Sequence, residues 1–308
     1  MLSLLASLLI TAQPQVAVLS SSGSTGELRF QPVDSTEVVA PAVRFTHAEG
    51  SPVLGSLLPD SRVVVATAVM HDSSFGSALL RLEANKPARV LADGVVYGSR
   101  PHVSREGRVF VSRGRAGSEL SSQGRVDSLA VDEVSAVTAK SRTVYSSQGF
   151  LTFIAGSLGR ELFIYELTLK GARLIAVHVD TLGVRVLIDD MVPLARDFVV
   201  DASARRLLFT QGTPFDDAWF VEQLDLVTAQ RAVVARSKEP TLLPAVVNGK
   251  VVFNVGPHER FGRLGYTRVQ HGSLFLHEVP GGFPVAFVNE QRLATPPDSR
   301  LDLAGVAP

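Results

Sequence analysis

Seven histidines and two adjacent pairs of aspartates are the residues with the most obvious chemical potential in this chain. The histidines are His47, His71, His102, His178, His258, His271 and His277. An imidazole can ligate a metal or move a proton near neutral pH. None of these pairs stands at the spacing that sets two ligands on one element; His271 and His277, the nearest, are six residues apart. Asp189-Asp190 and Asp216-Asp217 supply the carboxylates of an acid–base pair or a cation site. Adjacent acids also serve routinely as acceptors in Asx turns, and their contexts favour that use. The string Ala155-Gly-Ser157-Leu-Gly159 is one residue short of a nucleophile elbow. An elbow needs Gly in the first position because a strained strand-to-helix turn crowds any side chain there, and here a strand follows. Metalloprotease, phosphate-loop, dinucleotide-binding and EF-hand strings are absent. No metal and no cofactor is expected.

Composition narrows the field further. The 308 residues carry 30 basic and 30 acidic side chains and no Cys. Zero net charge gives no electrostatic footprint for nucleic acid, and the lack of Cys removes disulfides, thiol nucleophiles and thiolate zinc sites. A hydrophobic share of 45% is ample for a packed core. Leu2 to Ile10 form an apolar run followed by Thr11-Ala12-Gln13-Pro14, the shape of a secretory signal cleaved after Ala12. Nine residues are too few to span a bilayer, which takes roughly 20. The expectation is a signal peptide at 1–12 and a single domain at 13–308, periplasmic or secreted, with no transmembrane segment.

The elements that must position the polar residues are strands. Arg62–Val69, Arg108–Ser112, Arg206–Thr210 and Lys250–Asn254 each open with a cation, continue with apolar strand formers and end at a polar loop. Comparable strands begin near residues 15, 62, 108, 150, 206 and 250, and a period of about 45 suits one four-stranded propeller blade. The sequence therefore predicts an all-β fold, a six-bladed β-propeller of four-stranded antiparallel blades. Unit one lacks its innermost strand. The tail offers Phe283–Asn289 or Arg300–Leu303 to complete it, so the C-terminal segment is expected to close the ring and cover both edges.

The units resemble the TolB-type, WD40-like repeat of bacterial periplasmic propellers. Pro101-His-Val-Ser104-Arg-Glu-Gly107-Arg-Val-Phe110-Val-Ser112 and Leu224-Asp-Leu-Val-Thr228-Ala-Gln230 carry the resemblance, with Phe163-Ile-Tyr165-Glu-Leu167 as the aromatic strand. The family's Ser-Pro-Asp-Gly turn becomes Leu-Pro-Asp-Ser at 58–61. The resemblance implies a propeller fold and a binding role. On that layout the loops joining second to third strands would gather His71, Asp72, Phe75, Arg113, Arg160, Phe215, Asp216, Asp217, His258, Glu259, Arg260 and Phe261 on one face. His47, His102, Asp189 and Asp190 would join from the connections between blades. These are the candidate partner- or ligand-binding residues; none is assigned a catalytic role. The expected protein is a monomeric, non-enzymatic scaffold for a protein or peptide partner. The alternative is an envelope hydrolase or lyase acting on carbohydrate or peptide at the channel mouth.

Overall fold

The computed structural model describes residues 15–32, 35–70, 77–115, 128–192, 195–213, 218–237, 243–247, 250–254, 274–277, 285–288, 291–297 and 299–307. Every element in them is a strand, and every strand pairing is antiparallel.

β1 (Gln15–Ser22), β2 (Thr25–Pro32) and β3 (Val43–Thr46) form a meander, and the chain's last strand, Arg300–Ala307, adds to the free edge of β1. β4 (Leu54–Leu57), β5 (Val63–Ala68), β6 (Ser77–Glu83) and β7 (Arg89–Val95) form a second set. The third is β8 (His102–Val103), β9 (Val109–Arg115), β10 (Ser128–Val134) and β11 (Ser141–Ser146), joined to the second where Val95 pairs with Arg113. β12 (Leu151–Leu158), β13 (Glu161–Thr168), β14 (Gly171–His178) and β15 (Val184–Met191) make the fourth. The fifth is β16 (Arg196–Asp201), β17 (Arg206–Thr213), β18 (Ala218–Asp225) and β19 (Arg231–Ser237). β20 (Leu243–Val247) pairs with β21 (Lys250–Asn254), and β22 (Leu274–His277), β23 (Val285–Val288) and β24 (Gln291–Arg292) form a three-stranded sheet before the final strand, β25.

The sheets stack face to face, and that explains the continuous apolar runs. All six residues of Val63–Ala68 are buried, as are Leu162 to Glu166. A strand sandwiched between two other sheets has no solvent face, so its sequence does not alternate. Leu19, Leu28, Phe30 and Phe45 of the first sheet pack with Val64, Leu80 and Leu82 of the second. Phe163, Tyr165 and Leu174 of the fourth meet Leu207, Phe209 and Leu224 of the fifth. The first strands of neighbouring sheets also approach one another: β25 lies by β4, β12 by β16, and β16 by β20. Sheets that stack in sequence while their first strands converge radiate from a common axis.

Of the two tail segments expected to complete the first unit, Arg300–Leu303 lies in β25 and pairs with β1, from Ser21 opposite Arg300 to Gln15 opposite Ala307. Val285–Val288 instead sits between β22 and β24. A bulge near Ala17 lets β25 turn through Gly305, whose φ of +155° only glycine adopts readily. A Cβ there would also come 2.7 Å from the Leu57 Cβ. The fourth unit is displaced from its expected register. The period of about 45 residues implies a second strand from residue 150, but β12 is a first strand, and Glu161–Thr168 takes the second place.

Candidate functional site

Each four-stranded sheet has two ends. The chain turns from second to third strand at the same end where it leaves the fourth strand for the next sheet; this is the crossover end. First-to-second and third-to-fourth turns lie at the far end.

Six of the sixteen candidate residues fall among the described residues. His47 lies in the connection from β3 to β4, buried, with Nδ1 2.8 Å from the Ala48 carbonyl and 3.1 Å from Ser51 Oγ. Its Nε2 has no hydrogen-bond partner among the described residues. His102 lies within β8 rather than in a loop, with Nε2 2.8 Å from Ser157 Oγ and its ring stacked on Phe110. Burial disfavours the imidazolium and pulls its pKa down to about 4. Arg113 belongs to β9, donating to the Asp93 carbonyl at 2.8 Å and to buried Asp132 at 3.0 Å, an arrangement that ties strands together. Arg160 sits at the far end, in the turn between β12 and β13, where it pairs with Asp180 at 2.7 Å. The register shift of the fourth unit puts it there. Asp189 and Asp190 are exposed on β15, and Asp190 pairs with Arg231 at 2.9 Å. No hydrogen bond or ion pair joins any of these six to another.

His71, Asp72, Phe75, Phe215, Asp216, Asp217, His258, Glu259, Arg260 and Phe261 lie outside the described residues. Among the described residues no three His, Asp or Glu are grouped as a metal site, and no helix is long and apolar enough to cross a membrane.

The crossover end carries a feature that the sequence reading passed over. Tyr97, in the connection from β7 to β8, is 62% exposed, and Phe150, in the connection from β11 to β12, is 61% exposed. Leu169, in the turn from β13 to β14, is 98% exposed at the same end. The Phe150 amide donates to the Leu167 carbonyl at 3.0 Å, which sets its backbone beside that turn. The loop before Phe150 is held from beneath by Glu166, whose side chain is fully buried. Its carboxylate accepts from the Gln148 amide at 2.8 Å, the Gly149 amide at 3.2 Å, Ser147 Oγ at 2.5 Å and Tyr145 Oη at 3.1 Å. Arg173 closes the group at 2.6 Å. Burial alone would raise the Glu166 pKa, but the hydrogen bonds from Ser147, Arg173 and Gln148 outweigh it and hold the carboxyl below its ordinary value. The outcome is an exposed aromatic on a pinned loop. A glutamate in the middle of Phe163–Thr168 was the available signal, since a charge inside a buried strand demands partners.

No protein-family model matches the sequence, and no match is found among the curated proteins. Solved structures do resemble the fold. TolB from Acinetobacter baumannii superposes with a TM-score of 0.56 at 11% identity, over 95% of this chain and 67% of that one. A chain of a nidogen/laminin complex gives 0.54 at 11% identity, over 94% of this chain and 98% of its own. A prolyl endopeptidase gives 0.58 at 12% identity over 94% of this chain, which spans half of that protein. At these identities the likeness speaks for architecture alone. With the stacked antiparallel sheets and their converging first strands, it makes this chain a TolB-like β-propeller in fold.

Proposed function

We propose that the chain is a propeller scaffold, working in the periplasm or outside the cell, that binds a protein or peptide partner through its crossover end. The observation that carries this reading is the exposure of Tyr97, Phe150 and Leu169 at one end, with Phe150 on a loop fixed by a buried glutamate. Aromatic side chains are the commonest interface anchors. An anchor already held in place loses little entropy on binding. The residues exposed in the far-end turns include Val137, Leu182 and Val227, all aliphatic. The likeness to TolB and to a chain of a nidogen/laminin complex agrees with protein binding.

Site-specific photo-crosslinking tests it. A photoreactive phenylalanine at position 150 or 97, in the full chain in its host, should give a discrete adduct with one protein. The same group at position 137 should give none. Equal adducts from both ends, or none from positions 150 and 97, would overturn the assignment.

A further inference from the structure

The Ser157–His102 pair lies apart from the crossover face and on strands of its own. Ser157 belongs to β12 and His102 to β8, the first strands of neighbouring sheets, and both side chains keep partial exposure. Three independent features meet at Ser157. It follows Gly156, whose φ of +144° is closed to most residues and whose added Cβ would lie 2.5 Å from Val200. A bulge interrupts the β12–β13 register between Ile154 and Gly156, and bulges re-aim the side chains beside them. The hydroxyl so placed stands 2.8 Å from an imidazole nitrogen, within the reach a nucleophile needs from its base. β12 is the edge strand of its sheet, so its free edge offers backbone N–H groups that no strand claims. Such groups can stabilise a developing oxyanion.

We infer that Ser157 is a nucleophile activated by His102, able to take an acyl or phosphonyl group from an activated ester at the inner strands. In the tautomer protonated at Nδ1, His102 Nε2 accepts the Ser157 hydroxyl proton as Oγ attacks the carbonyl carbon. The tetrahedral adduct collapses, the bond to the leaving oxygen breaks, and the leaving group departs with the electron pair. The proton on Nε2 passes to the leaving group or to water. Water then repeats the sequence to release the acid. The bulged Ala-Gly-Ser segment thereby presents its serine from a strand, where an elbow presents it from a strand-to-helix turn. The inference is independent of the partner-binding face, since neither residue lies in a crossover-end loop.

The full chain should be treated with p-nitrophenyl acetate and, separately, with a fluorophosphonate. Acetate should appear on Ser157 by peptide mass spectrometry with a matching burst of p-nitrophenolate. The fluorophosphonate should phosphonylate the same oxygen with loss of fluoride. Ser157→Ala should abolish both adducts, and His102→Gln should slow them about 100-fold, the usual worth of a general base. The acetylation rate should be level from pH 5 to 8 and fall as the imidazole becomes protonated near pH 4. Adducts confined to lysine or tyrosine, or a Ser157→Ala burst equal to the parent's, would overturn the inference. If His102→Gln fails to fold, the Ser157→Ala comparison alone decides it.

Discussion

Asp302 and Arg100 are 202 residues apart in sequence and share a bidentate ion pair. Arg100 Nη1 donates to Asp302 Oδ2 at 3.0 Å, and Nη2 pairs with Oδ1. The same Oδ2 accepts the Gly55 amide at 2.8 Å, and Arg100 also reaches the Gly55 carbonyl. One carboxylate on the last strand thus engages both the first strand of the second sheet and the connection that leads out of it.

Replacing Asp302 with Asn should destabilise the fold by about 3 kcal/mol. The Asp302 side chain is 2% exposed, so neutralising it removes a buried carboxylate from its bidentate pairing with the half-buried Arg100. Deleting residues 300–308 should do more, because it also bares the β1 edge and leaves Ala17 and Leu19 uncovered. Urea unfolding measures the first variant and size-exclusion chromatography the second. A truncated chain that stays monomeric with an unchanged midpoint would show that β25 is dispensable.

Glu166 should dominate part of the acid limb. Its folded pKa lies below the ordinary carboxylate value, so its contribution is complete above the unfolded value and is lost as pH falls through the folded one. Glu27, Glu133 and Asp201 are lowered too, each with arginine partners, so the parent should lose stability steadily below about pH 5. Glu166→Gln should be less stable at pH 7 and show a shallower decline between about pH 5 and pH 3. Parallel curves for parent and variant would mean that Glu166 is not held as its geometry indicates.

The sequence revealed most of this fold because one local device recurs. Three of the cations that open second strands have partners: Arg62 lies over the Phe30 ring at 4.4 Å, Arg108 pairs with Glu133 at 2.7 Å, and Arg206 with Asp201 at 3.0 Å. The fourth unit broke the pattern. Its second strand opens with Glu161, and its first turn shrinks to Gly159-Arg160, so the phase slipped by one strand. The candidate site was less legible. Its residues were chosen as polar loop positions, yet Arg113 and Arg160 are each engaged in holding strands, and what marks the crossover end is apolar. Exposure of Phe150 depends on Glu166 meeting two backbone amides across a sheet boundary, which no local pattern encodes.

Export should leave a mature chain beginning at or near Gln13. The Leu2–Ile10 run and the Ala12-Gln13 junction motivate this, and both precede the first described strand. Intact-mass measurement on protein from the envelope or medium checks it. A chain recovered with Met1 from the cytoplasm would remove the localisation from the proposal.

Phe150→Ala should weaken partner capture by about 2 kcal/mol, roughly 30-fold in Kd, with little effect on folding. The ring is mostly in water before binding, so removing it opens no cavity, and exposed substitutions move stability by only about 0.5 kcal/mol. Leu169→Asp should act in the same direction, because it sets a charge at the same end that the partner must desolvate. Val137→Asp, at the far end, is the control: also well exposed, changed in charge as Leu169→Asp is, and expected to leave capture intact. Glu166→Gln joins the two themes, because loosening the loop should weaken binding through Phe150 without touching the ring itself. Binding measured on the purified partner identified by crosslinking separates these cases. If the four variants lose affinity together, and only in proportion to their loss of stability, the crossover end is not the interface.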